Sequence, residues 1–257
     1  MEIDKNRDDC ISIVVPVYNA GEYIEDTIHM VQQQTYENFE LILVDDASTD
    51  DSAKLIEQRM QAGDDRIKLI KNATNAGAAA ARNAGINAAT GRYLAFLDAD
   101  DIWHKDKLEK ELAYLKEKNA AFVFTAYEFG DENASPTGKI VHVPPTLTFK
   151  EALSRTIIFT TTVLINMEKL PKKKVYMPQI ESEDTATWWT ILKGGVTAYG
   201  LNEVLAVYRR PAKSLSSNKI MAIKRIWGLY RKIAGLSRAQ SLYYMIGWAF
   251  RATVRRL

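Results

Sequence analysis

Residues 91–108 read GRYLAFLDADDIWHKDKL, an apolar run at 93–97 that leads straight into Asp98, Asp100 and Asp101. Like charges this close repel one another, and each resists leaving water. A cation or a set of backbone donors would justify them; simple exposure is the plainer alternative. An Asp-x-Asp at a strand end offers hard oxygen ligands of the kind Mg²⁺ or Mn²⁺ takes, and such a cation is usually held by one or two carboxylates plus substrate phosphates. Two further acid pairs stand out: Asp45-Asp46 closes the apolar stretch FELILV, and Glu183-Asp184 opens ESEDTATWWTILKGG. Acids also suit a helix N-terminus through its dipole, which accounts for the second pair without chemistry.

Other chemistries are missing. The turn after the first apolar run is VPVYNAGEY, with no G-x-G-x-x-G, no G-x-x-x-x-G-K-[ST] and no glycine-rich phosphate loop. His29, His104 and His142 lack metal-ligand spacing, and no Ser-His-Asp set stands out. Cys10 is the lone cysteine, which excludes an internal disulfide and fits a reducing compartment.

The elements around the acids alternate. CISIVVPVYN, FELILVDDAS, RIKLIKN, RYLAFLD and AAFVFTAYEF read as short buried strands. Between them lie helical patterns, including the Ala-rich AGAAAARNAGINAAT, whose Gly77 and Gly85 permit close packing. The order βαβαβαβαβ with short connections implies an α/β, doubly wound, mostly parallel sheet flanked by helices. Such sheets bind ligands beyond the carboxyl ends of their strands, so residues 16–19, Asp45-Asp46 and 98–100 should converge on one rim. GDENASPTGK, residues 130–139, carries turn formers and reads as an exposed loop or hairpin tip; TFKEALSR is a short helix, TTTVLIN a strand, and VTAYGLNEVLAVYRR two short strands around a turn.

The 257 residues carry a net charge of +2 that hides an asymmetry. No acid follows Glu203, while twelve Lys and Arg do, so the body carries −10 and the end of the chain +12. The N-terminus is polar and acidic, unlike a signal peptide, and no apolar run approaches the ~20 residues a membrane span requires. A cytoplasmic protein is expected, peripheral at the inner face of the cell membrane if the basic end finds an anionic surface.

The chain resembles the family 2 inverting glycosyltransferases, which have the nucleotide-diphosphosugar transferase (GT-A) fold. The likeness is carried by SIVVPVYNAGEYI, QQTYENFELILVDDASTDDS, NAGAAAARNAGINAATGRYLAFLDADDIW and ESEDTATWWTIL, in the family's order and spacing, over about residues 11–210. It implies a GT-A catalytic domain over residues 1–216, with 1–127 as the nucleotide-sugar-binding half and 128–216 as the acceptor-binding half. It also implies roles. Pro16, Val17, Tyr18 and Asn19 would line the nucleoside pocket. Asp46 would accept from the imide N–H of uracil or thymine, which favours a UDP- or dTDP-sugar donor. Arg82 and Asn83 would lie at the nucleotide and diphosphate, Asp98 at the ribose, and Asp100 on a divalent cation, Mn²⁺ or Mg²⁺. Asp184 matches the catalytic base; Glu183 would orient the acceptor, because helix neighbours point about 100° apart. Trp188 would stack on an acceptor sugar, with core packing as the alternative for it or for Trp189; Trp103 reads as a packing anchor.

There is one departure. Many relatives carry histidine where YRRPAKSLS has Pro211, so Arg209, Arg210, Lys213 or Ser214 would neutralise the phosphates instead. The expected partners are a nucleotide-sugar donor and a glycan or polyprenyl-linked acceptor of surface polysaccharide synthesis, with no nucleic acid. A non-catalytic nucleotide-sugar-binding scaffold is the alternative, but Asp46, Asp98, Asp100 and Asp184 are all kept. Residues 217–257 lie outside the resemblance and form a basic amphipathic helical extension, with stripes at Ile220, Ile223, Ile226, Trp227, Tyr230, Ile233 and Ala234 and again at Leu242, Met245, Ile246, Trp248, Ala249 and Phe250. Such stripes suit an anionic membrane surface, the catalytic domain itself, or a second copy in a homodimer.

Overall fold

Residues 9–210 and 219–254 are described by a computed structural model. The apolar, β-branched runs form strands β1 (Ile11–Val17), β2 (Phe39–Asp45), β3 (Ile67–Lys71) and β4 (Tyr93–Phe96), paired in parallel in the order β3-β2-β1-β4. Helices cross between them: α1 (Ile24–Gln32), α2 (Ser52–Gln61) and α3 (Ala78–Ala88). α1 buries Ile24, Thr27, Ile28 and Val31, the i, i+3, i+4, i+7 face its spacing dictates. Gly85 is where α3 meets the sheet, since a β-carbon there would stand 2.3 Å from a methyl of Val14. Gly77 acts differently from expectation. A β-carbon there would touch nothing, but its φ of +87° is a conformation that glycine adopts without strain.

The sheet departs from the expected parallel series after β4. Strand β5 (Ile102–Trp103) and helix α4 (Lys107–Glu117) follow, then β6 (Phe122–Gly130) with its hairpin partner β7 (Pro136–Val141), the short β8 (Thr146–Leu147) and helix α5 (Phe149–Ala152). β6 does not lie beside β4. Strand β9 (Val163–Asn166) inserts between them, antiparallel to both. After α6 (Lys172–Val175) and α7 (Glu183–Lys193), one irregular strand, β10 (Ala198–Arg209), replaces the expected pair and runs parallel to β6 with register shifts between Leu201 and Ala206. The whole order is β3-β2-β1-β4-β9-β6-β10-β5, with β7 on β6 and β8 on β10.

The basic extension is helix α8 (Lys219–Leu229), a π-turn at Tyr230–Ala234 and helix α9 (Arg238–Val254). Only the later part of its first stripe packs inward; Ile220 and Ile223 are exposed. Ile226, Leu229, Tyr230 and Ala234 are buried, and Tyr230 stacks on Trp189 at 5.3 Å while donating its hydroxyl to the carbonyl of Leu153 at 2.6 Å. On α9, Trp248 donates to Thr156 Oγ1 at 3.0 Å, whereas Leu242, Tyr243, Ile246 and Phe250 face outward and are exposed. No helix of the described residues is long and apolar enough to cross a membrane.

Candidate active site

β1 is flanked by β2 and β4, so chain connections leave it in opposite directions and a crevice opens at the strands' carboxyl ends. A cavity of about 560 Å³ fills it. Its walls come from the end of β1 and the turn beyond (Pro16, Val17, Tyr18, Asn19, Tyr23), from Asp46 after β2, from the start of α3 (Gly77, Ala78, Ala81, Arg82), from Asp98 and Asp100 after β4, and from Phe159 and Tyr208. Tyr18 stands half exposed at its mouth, an aromatic face free to stack. The first turn of α3 brings the positive end of a helix dipole to the wall, which favours an anion.

The acid turn after β4 is held by its neighbours. Asp101 is buried, accepting from Thr161 Oγ1 at 2.6 Å and from the Arg209 N–H at 3.1 Å. Burial, then the charges of Asp98 and Asp100, push its carboxyl well above the usual range. Arg209 closes over the turn, donating Nε to the Asp100 carbonyl at 2.7 Å and lying 4.4 Å from the centre of the Tyr23 ring. Trp103 anchors the far side through Nε1–H to the Thr161 carbonyl at 2.8 Å, with Lys107 over its ring at 4.1 Å, as expected of a packing residue. The turn therefore presents Asp98 and Asp100 to the cavity while the third acid, Asp101, faces inward and fixes its shape.

Arg82 joins this turn to α7. Its guanidinium is buried and donates to Asp98 at 2.5 Å and to Glu183 at 2.7 Å. Burial alone would lower its pKa; Asp98, Glu183 and Asp184 outweigh it and raise it. At Glu183 the balance runs the other way, where burial and then Asp184 lift the carboxyl despite Arg82. Asp184 accepts from Thr160 Oγ1 at 3.2 Å and from the Thr185 N–H at 2.6 Å. Ser182, just before α7, has φ +58°; with Asn19 at +50° and Ala47 at +59°, three non-glycine residues near the rim hold left-handed backbone. Each costs about 1–3 kcal/mol and persists only where neighbours enforce it. Asn19 shows how: its backbone N–H donates to Ser48 Oγ at 3.0 Å and its side chain accepts from the Thr49 N–H at 2.8 Å, which ties the loops after β1 and β2 together.

Asp46 is buried in the wall. It accepts from Asn72 Nδ2 at 2.7 Å and from the N–H groups of Ala76 and Gly77, at 3.0 and 2.7 Å on Oδ2. It thus fastens the entry of α3 as well as bordering the cavity.

Some expected residues lie elsewhere. Asn83 does not border the cavity: its amide accepts from the Met177 N–H and donates to the Met177 carbonyl, both at 2.8 Å, which clips α3 to the segment before α7. Trp188 is 1% exposed and packs on Phe96 and Phe122, so it is core and not acceptor surface; the helix turns that face into the sheet. Arg210 lies over Phe129, 5.5 Å from its centre, outside the cavity lining, and Arg209 reaches the site through Tyr23 and the Asp100 carbonyl. Pro211, Lys213 and Ser214 fall outside the described residues. Tyr23, Phe159 and Tyr208 also border the cavity without any motif to mark them, and Thr160–Thr162, expected as strand, form a helical turn before β9 whose hydroxyls reach Asp184 and Asp101.

Among the described residues no group of three or more His, Cys, Asp or Glu forms a metal site of its own. The residues nonetheless fit a cation shared with a ligand. Asp100 borders the cavity, makes no ion pair among the described residues, and has its carboxyl raised by burial and then by Asp98. A carboxylate beside a second one, in a cavity walled by the start of a helix, could supply the protein's share of a Mg²⁺ site whose other ligands come from a bound phosphate.

This sequence and architecture have known counterparts. Residues 12–176 match the profile of Glycosyl transferase family 2. The chain belongs to this family and is a glycosyltransferase. It is 43% identical over 248 residues to TuaG, a glycosyltransferase of Bacillus subtilis (strain 168) named for teichuronic acid biosynthesis, covering 96% of this chain and 97% of that one. It is 34% identical over 239 residues to WfgD of Escherichia coli, a UDP-Glc:α-D-GlcNAc-diphosphoundecaprenol β-1,3-glucosyltransferase, covering 93% and 91%. Among solved structures, S. aureus TarS 1-349 in complex with UDP-GlcNAc superposes with TM-score 0.69 at 19% identity over 93% of this chain and 71% of that one. The mannosyltransferase PcManGT of Pyrobaculum calidifontis, with GDP-Man and Mn²⁺, gives 0.69 at 20% identity over 89% and 65%. These likenesses show the expected GT-A fold, a central mixed sheet flanked by helices.

Proposed function

We propose that this enzyme is a divalent-cation-dependent inverting glycosyltransferase that moves a sugar from a UDP-sugar to a glycan or polyprenyl-linked acceptor in surface polysaccharide synthesis. The observation that carries the reading is the arrangement of carboxylates: Asp98 and Asp100 on the cavity wall, and Asp184 at the start of α7, locked to that wall through Glu183 and Arg82. Tyr18 stacks on the base, Pro16, Val17 and Asn19 enclose the nucleoside with Asp46 at its far end, and Asp98 holds the ribose. Arg209 reinforces the positive side of the diphosphate site. Asp100 would hold Mn²⁺ or Mg²⁺, which supplies charge neutralisation for the departing diphosphate when bound. Asp184 takes the proton of the acceptor hydroxyl as that oxygen attacks the anomeric carbon from the face opposite the diphosphate. The new C–O bond forms as the old one breaks, and the nucleoside diphosphate leaves with its electron pair. Glu183, held by Arg82, shapes the acceptor side.

Teichuronic acid and diphosphoundecaprenol in the names of two full-length relatives support a surface-glycan acceptor on a lipid carrier. The exposed face of α9 and the acid-free basic end support a peripheral position at the cytoplasmic face of the membrane. A panel of UDP- and dTDP-sugars with Mn²⁺ or Mg²⁺ tests the chemistry: release of UDP from one donor, abolished by chelation, is the expected result, and no release from any donor speaks for a binding scaffold. Co-sedimentation with anionic but not neutral vesicles tests the location; a full-length dimer that ignores both overturns it.

A further inference from the structure

A second groove lies away from the catalytic cavity. It holds about 410 Å³ between β7, the segment after it, and the end of α9. Ile140, Val143, Ile157 and Phe250 make apolar walls, and Arg155 and Arg251 stand on its border. Among the described residues no carboxylate lines it. Ile140 is 41% and Phe250 70% exposed, large apolar side chains left open to solvent. Neither arginine makes an ion pair among the described residues. Arg251 places one guanidinium nitrogen on Ser154 Oγ at 2.9 Å; Arg155 acts on Glu151 through its charge without a salt bridge, since that carboxylate makes its hydrogen bonds to the N–H and hydroxyl of Thr148 at the start of α5.

Apolar walls beside two cations that make no salt bridge among the described residues suit an amphiphile with an anionic head. A neutral hydrocarbon would leave the arginines unanswered, and a free anion would leave Phe250 and Ile140 wet. The groove is continuous with the exposed face of α9 through Phe250, and at about 30 Å³ per water-sized group it has room for roughly a dozen such groups. It is also close to the chemistry. Ile157 is three residues before Thr160, which touches Asp184, so their α-carbons lie within about 11 Å of each other.

We propose that this groove is the carrier subsite: it receives the diphosphate and the first isoprene units of a polyprenyl-diphosphate-linked acceptor, with Arg155 and Arg251 on the phosphates and Phe250 and Ile140 against the chain. This rests on the reading of the acceptor as lipid-linked. It assigns the segment 153–160 two jobs, the carrier at one end and the catalytic acid at the other.

Calorimetry on the full chain with farnesyl diphosphate as probe tests it. Wild type is expected to bind the probe at least about ten-fold more tightly than inorganic diphosphate or the neutral amphiphile dodecyl maltoside. Arg155→Gln combined with Arg251→Gln, and separately Ile140→Asp, should each weaken the probe about ten-fold while UDP affinity moves less than about two-fold. All three positions are at the surface, so the UDP titration also reports that the variants are folded. The proposal falls if inorganic diphosphate binds as well as the probe, if UDP displaces the probe, or if both variants bind the probe like wild type. Failure of UDP release from every donor would sink the enzymatic reading and leave this binding result standing, so the two are separable.

Discussion

Asp98 and Glu183 are bound to opposite nitrogens of one buried guanidinium, that of Arg82, at 2.5 and 2.7 Å. The cavity wall at Asp98 and the start of α7 are thereby tied together through one side chain. Arg82→Met should remove a buried charge with two partners and cost about 3–5 kcal/mol, because both carboxylates are left uncompensated. Arg82→Lys keeps the charge but cannot serve both acids in plane, so it should recover much of the stability and little of the transfer rate. Urea unfolding beside initial-rate kinetics checks this; a Met variant as stable as wild type would mean that the bridge contributes nothing net.

Asp184→Asn preserves shape and the contact with Thr160 but cannot take a proton. Transfer should fall about 10²–10⁴-fold with nucleotide affinity nearly unchanged. Turnover above about a tenth of wild type would move the base elsewhere.

Asp100→Ala should weaken UDP binding in the presence of Mn²⁺ and change it little once the metal is chelated. Because burial and Asp98 raise the Asp100 carboxyl, protons compete for it at higher pH than for an ordinary aspartate. The Mn²⁺-dependent part of the affinity should accordingly fade as pH drops into the mildly acidic range, sooner than for an unperturbed carboxylate. Equal loss with and without metal, by calorimetry, would assign Asp100 a structural role.

Glu40 sits at the end of the sheet opposite the cavity, buried, accepting from Ser12 at 2.5 Å, from Thr90 and Gly91 N–H groups, and from Lys68 at 2.6 Å. Burial pushes its carboxyl up, but Lys68, Ser12 and Thr90 together hold it down at about 2. The folded-state pKa is below the unfolded one, so its stabilisation is complete above about pH 4.5 and disappears as pH falls toward 2, on the order of 3 kcal/mol in all. Glu40→Gln should be less stable than wild type at neutral pH, with the gap closing through that window. A gap that stays constant from pH 6 to about 2.5 in urea titrations would show that the ionised form is not what matters.

The rim was readable because topology does the assembling. The carboxyl ends of the neighbouring parallel strands β1, β2 and β4 open on one crevice, so Pro16, Asn19, Asp46, Asp98 and Asp100 are placed together by the alternation of strands and helices alone. Residues whose roles depend on a neighbour distant in sequence could not. The motif that holds Arg82 implies a place at the nucleotide for Asn83 as well, yet one residue along a helix turns the side chain toward Met177. Trp188 lies on an amphipathic helix whose inward face is fixed only by what packs there, here Phe96 and Phe122. The Arg82 bridge and the Glu40 cluster each join residues from several elements, and nothing in local composition announces such a meeting. The insertion of β9 is of the same kind, since periodicity gives a strand's existence and not its neighbours.

That insertion bears on how the chain is made. β9 separates β4 from β6 but is synthesised after both. While residues 97–162 emerge from the ribosome, the free edge of β4, with Tyr93, Leu94, Ala95 and Phe96 all bound for the core, has no partner. An unpaired apolar edge is a template for pairing with another chain, and it stays open for seconds at ordinary elongation rates of about 5–20 residues per second. The nascent enzyme therefore passes through an aggregation-prone interval that ends only when Val163–Asn166 close the seam, and slow translation of the preceding hairpin would lengthen it.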